Sequence, residues 1–175
     1  MNNVIDLSAK LLANEDINVT RANTKTASFD IKSRLLTLPQ WQDMTPTIEQ
    51  MLVGHEVGHA LYTTEEYMEP IKENSSLRSY LNVLEDVRIE KLMKKKYPGI
   101  RKHMAAGYKE LNDRDFFDIE GKDVNRMLLI DKINLYFKAS LFGLDFTPEE
   151  KQFVIRAERT ESIQDVIELA KEVYE

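Results

Sequence analysis

The chain has 175 residues, with 24 Lys and Arg against 30 Asp and Glu, three His, no Cys and 42% hydrophobic residues, the profile of one soluble globular domain. Without Cys there is no disulfide framework, thiol nucleophile, zinc finger or iron–sulfur cluster, and a reducing compartment, the cytoplasm, is the default expectation. The net charge of −6 argues against binding a phosphate backbone, no apolar run is long enough to span a bilayer, and the start Met1-Asn2-Asn3-Val4-Ile5-Asp6 has neither the basic nor the apolar region of a signal peptide, so neither nucleic acid nor membrane is expected as a partner.

A chain of this size buries roughly 70% of the surface its unfolded form exposes, so a metal would serve function rather than hold the core together. Val4, Ile5, Leu7, Leu11 and Leu12 recur at helical spacing and predict a short amphipathic helix over 4–13. From 17 to 38 the texture becomes β-like. Ile17–Thr20 and Ala27–Ile31 read as a hairpin around the turn-like Asn23-Thr24-Lys25, and Leu35–Leu38 as a further strand closed by Pro39.

Thr45-Pro46 supplies an N-cap and a Pro at the first helical position, where its missing N–H costs nothing, and predicts a helix over 46–62. Asn74-Ser75-Ser76 caps a second long helix over 76–96, stopped by Tyr97-Pro98-Gly99. The basic run Lys94-Lys95-Lys96 then falls at a helix C-terminus, where cations complement the dipole, and reads as a solvated helix end. Further helices are expected near 100–111, 123–141, 148–158 and 161–174, with a polar loop over 112–123 pinned to the core by Phe116 and Phe117. The expected fold is therefore α+β: a single, predominantly helical domain over 1–175, with a small β-hairpin or three-stranded sheet beside the 46–62 helix.

That helix carries His55-Glu56-Val57-Gly58-His59, an H-E-x-x-H. Positions i and i+4 share a helical face, so both imidazoles can meet one metal ion while Glu56, about 100° round the helix, reaches toward a water on it. The chemistry needs this spacing because the metal lowers the pKa of its water to about 7 and a nearby carboxylate must take the proton. Gly54 and Gly58 each weaken the helix by about 1 kcal/mol against Ala, which suggests tight packing against a neighbouring strand or room for substrate. A catalytic zinc needs a third protein ligand. Glu85 and Asp86 on the second helix are the candidates: Glu85 has the longer reach, while Asn82, Asp86 and Glu90 form a polar stripe able to hold ligand and supporting shell together. Both stay open. His103 is a weaker candidate, and Tyr62, Arg88, Tyr97, His103 and Tyr108 are all available to stabilise a developing oxyanion.

His55-Glu56-Val57-Gly58-His59-Ala60-Leu61-Tyr62-Thr63, followed by Leu81-Asn82-Val83-Leu84-Glu85-Asp86-Val87-Arg88-Ile89-Glu90 and Tyr97-Pro98-Gly99, resembles the zincin-type metallopeptidase domain of large tailed phages over roughly residues 15–175. The resemblance implies a zincin-like fold with Zn2+ on His55, His59 and a carboxylate of the Glu85-Asp86 pair, Glu56 as general base, a peptide or protein substrate, and the host cytoplasm as location. In that family the domain precedes a von Willebrand factor A-like domain, which the resemblance implies as a partner. No D-x-S-x-S signature of such a domain occurs here, so the chain is expected to be either part of a longer protein or a stand-alone version. Cobaltochelatase-like relatives keep a similar acid-and-Arg helix without the H-E-x-x-H, which leaves Glu85 open as ligand or scaffold residue. The expected reaction is metal-assisted amide hydrolysis; the alternative is a zincin-like binding module recruiting a protein partner to a phage assembly.

Overall fold

In the computed structural model, which describes residues 3–140 and 143–175, helices dominate and three short strands form a sheet near the front of the chain. The elements are α1 (Asn3–Ala13), β1 (Asn18–Ala22), β2 (Ser28–Asp30), β3 (Leu35–Pro39), α2 (Pro46–Tyr62), α3 (Glu69–Glu73), α4 (Leu77–Lys96), α5 (Ile100–Asp113), α6 (Leu129–Ala139), α7 (Pro148–Arg159) and α8 (Ile163–Tyr174). No described helix is long and apolar enough to cross a membrane.

The sheet corrects one expectation. Ile17–Thr20 and Ala27–Ile31 do not form a hairpin, because β3 lies between them: β1 pairs with it in parallel, Val19 opposite Leu36, and β2 pairs with it antiparallel, Phe29 opposite Leu36. The reason is burial. β3 is the most apolar of the three, and its Leu36 and Leu38 are fully buried, so it takes the central position with partners on both sides. The hairpin is instead β2–β3, turned through Ile31–Arg34 with Asp30 accepting from the Ser33 N–H at 2.7 Å and Arg34 at φ 54°. Arg34 also donates to the Ala60 carbonyl at 2.7 Å, tying this turn to the C-terminal end of α2.

Helix α2 begins as its sequence dictates, with the Thr45 side chain accepting from the Ile48 N–H and Pro46 following. Every residue from Met51 to Gly58 is buried, so α2 is covered on all sides and is the central pillar of the fold. Helix α4 starts differently from expectation: Ser76 makes no side-chain cap, and Asn74 Oδ1 accepts from the Ser76 N–H instead. Between these helices a 3-10 turn (Glu65–Met68) and α3 were not foreseen. The segment expected as one helix over 123–141 is a 3-10 turn at Val124–Arg126 followed by α6; Leu141, its expected end, lies outside the described residues, as do Met1 and Asn2 of the N-terminal reading. Reciprocal capping boxes, Thr147 with Glu150 and Ser162 with Asp165, set the starts of α7 and α8. Phe117 packs against the core as expected, whereas Phe116 is 43% exposed.

Two apolar clusters result. One joins α1, the sheet, α2 and α5; the other joins α4, α6, α7 and α8, and α4 belongs to both through Met93 on one side and Leu81 and Leu84 on the other. The glycines of α2 serve helix contacts, not the strand contact expected: a Cβ on Gly54 would meet Ile100 of α5, and one on Gly58 would meet Ile89 and Met93 of α4. The tightest approach is Gly107 of α5, where a Cβ would collide with the Met51 Cβ and lie 3.3 Å from the Thr47 carbonyl oxygen. Because neither is the end of a flexible chain, Gly107→Ala forces α5 away from α2. We expect a loss of about 1–3 kcal/mol in stability, read from the denaturation midpoint.

Candidate metal centre

Helix α2 places His55 and His59 one turn apart on one face, and α4 packs across that face with Asp86. The Asp86 Oδ1 atom is 3.1 Å from His59 Nε2 and 3.4 Å from His55 Nε2, and one donor atom from each residue falls within 4.8 Å of the others. The remaining imidazole nitrogens are already engaged. His55 Nδ1 meets Glu90 Oε1 at 2.8 Å, and His59 Nδ1 meets Thr63 Oγ1 at 2.9 Å. Acceptors at both Nδ1 atoms let those nitrogens keep their N–H if a metal takes the place of the Nε2 protons, the arrangement by which supporting shells orient ligating histidines. Two imidazoles and one carboxylate, with no thiolate, are a donor set typical of catalytic zinc. The three residues therefore fit a metal ion and can hold one.

The structure separates the two acids that the sequence left open. Neighbours in a helix point about 100° apart, so only one can face the histidines, and that is Asp86. Glu85 is fully buried elsewhere: it accepts from Arg88 Nε at 2.8 Å and Nη2 at 2.7 Å, and from Thr63 Oγ1 at 2.5 Å. Its two oxygens are thus committed to a scaffold ion pair, and it is not among the metal-facing groups. Glu90, the next member of the Asn82-Asp86-Glu90 stripe, is the supporting carboxylate behind His55.

Several oxyanion candidates also have other duties. Tyr108 donates its hydroxyl to Glu90, Arg88 spans Glu85 and the carbonyls of Tyr62 and Glu161, and Tyr97 donates to the Leu12 carbonyl. His103 is exposed on α5 and absent from the metal-facing group, and Tyr62 does not line the cavity beside it. Two participants had escaped sequence reasoning. Thr63 lies four residues after His59, a spacing that carried a usable signal. Lys138 of α6 donates to Asp86 Oδ2 at 2.6 Å, and nothing local in its sequence points there.

Charge around the centre favours a cation. Burial opposes the charged forms, yet interaction with Lys138 and His55 holds the Asp86 carboxyl well below its usual range, and contact with His55 lowers that of Glu90. Burial likewise opposes the His55 imidazolium, but the Asp86 charge and hydrogen bonds to Asp86 and Glu90 raise its pKa to about 10. Burial and the Glu90 charge push the Tyr108 hydroxyl well above its ordinary value, keeping it a donor. The cluster sits in a cavity of about 580 Å³ lined by His55, Glu56, His59 and Asp86, by residues 26–32 along β2, and by Tyr67, Asn82 and Lys138. Glu56 is only 5% exposed, and among the described residues no hydrogen bond or ion pair engages its carboxylate.

Since Glu90 contacts His55 Nδ1, Glu90→Gln is expected to weaken uptake of an added divalent metal ion by about 10–100-fold, measured by competition with a chromophoric chelator. No family model, curated protein or solved structure matches the chain.

Proposed function

We propose that this chain is a zinc-dependent peptidase in which His55, His59 and Asp86 hold the metal and Glu56 is the general base. The observation that carries the reading is the convergence of those three donors beside Glu56, which lines the same cavity and whose carboxylate accepts no hydrogen bond among the described residues. Zinc bound there would supply Lewis acidity toward a carbonyl and bring the pKa of a coordinated water to about 7.

The chain's own groups supply the rest. Glu56 takes a proton from the attacking water and returns it to the departing amine, so that the C–N bond breaks with a neutral leaving group. Glu90 and Thr63 keep the imidazoles in the coordinating tautomers. The edge strand β2 lines the same cavity, and an exposed strand edge suits an extended peptide, which can add to it through main-chain hydrogen bonds.

Elemental analysis of protein purified without added metal or chelator tests the reading. About one zinc per chain, lost in His55→Ala, is the expected result; absence of metal even after zinc is added back would sink it and favour a binding module.

A further inference from the structure

The two oxygens of Asp86 face different partners: Oδ1 looks toward both His Nε2 atoms, and Oδ2 receives the Lys138 ammonium at 2.6 Å. Lys138 comes from α6, a separate helix, and its side chain is only 17% exposed, so it is held there by packing. A fixed cation beside a metal ligand is a costly choice, because it repels the metal. A carboxylate left to itself offers both oxygens. Lys138 removes one of them.

We propose that Lys138 is a positioning residue that restricts Asp86 to a single coordinating oxygen, so that the centre has three protein donors and keeps a position open for water and substrate. This rests on the metal-dependent reading above. Catalytic zinc sites are distinguished from structural ones by such an open position, and a second Asp86 oxygen is the nearest group able to fill it. Lys138 thus acts through Asp86, without touching the substrate.

Cobalt(II) added to metal-free protein reports on this directly, since cobalt with fewer ligands absorbs visible light more strongly. Wild type, Lys138→Met and Lys138→Arg are compared by absorption spectrum and by competition with a chelator. Lys138→Met is expected to show weaker, shifted bands and to hold cobalt about tenfold more tightly, within the range over which outer groups tune metal affinity; Lys138→Arg should restore both properties. An unchanged spectrum overturns the proposal, and so does weaker binding, the result a merely structural residue would give. If Lys138→Met does not fold, Lys138→Gln is read by the same criteria. Failure of wild type to take up cobalt would instead overturn the metal centre itself, an outcome distinct from normal uptake that Lys138 does not influence.

Discussion

Under the proposed peptidase reading, replacing Glu56 by Gln is expected to lower peptide hydrolysis by about 10²–10⁴-fold, the usual contribution of a general base, while zinc content stays at the wild-type level. The amide keeps the shape of the side chain but cannot accept and return a proton at neutral pH. Its site is buried, and among the described residues no partner bonds Glu56, so the substitution breaks no hydrogen bond and the fold should be unaffected. Turnover of an unstructured polypeptide, measured beside elemental analysis on the same preparations, checks both halves. Equal activity in the two proteins would eliminate Glu56 as the base. Loss of zinc together with activity would mean that Glu56 belongs to the ligand set.

The second large effect divides two adjacent residues into different kinds of failure. Glu85→Ala leaves the Arg88 guanidinium buried, 5% exposed, without its carboxylate. Breaking a buried ion pair from one side costs about 3–5 kcal/mol, which in a chain of this size lowers the melting temperature by about 6–20 °C. Asp86→Asn is nearly isosteric, and Glu90 and Glu56 still lie close enough to raise the Lys138 pKa, so the buried cation keeps negative neighbours. Its expected consequence is loss of zinc with little change in the midpoint measured in chelator. Thermal denaturation and metal analysis of both variants therefore give opposite patterns. If Glu85→Ala kept its stability and lost the metal, the assignment of the two acids would be reversed.

The contrast between Glu85 and Asp86 also marks how far the site was legible. His55, Glu56 and His59 were readable because they lie within one turn of a single helix, where a spacing of four fixes a shared face whatever surrounds it. Asn82, Asp86 and Glu90 were readable as a stripe for the same reason. Which of Glu85 and Asp86 faces α2 depends on the rotation of α4 against α2, and that is set by how Ile89 and Met93 seat against Gly58. Such seating is decided by packing between segments far apart in the chain, to which local spacing is blind. The β strands show the same limit: their positions followed from alternation and β-branching, but their pairing followed from which strand had most to bury, so the expected β1–β2 hairpin gave way to a central β3.

By itself, then, the sequence determined the mainly helical α+β composition, the start of α2 through its cap, and the face of α2 shared by His55 and His59, because all of these rest on interactions within a few residues. Only the tertiary structure decided the strand order, the commitment of Tyr108 and Arg88 to carboxylates, and the arrival of Lys138 at Asp86 from 52 residues away. Those depend on competition among buried groups for partners: once desolvated, each carboxylate must be satisfied by whatever donors the packing of separate helices brings within reach.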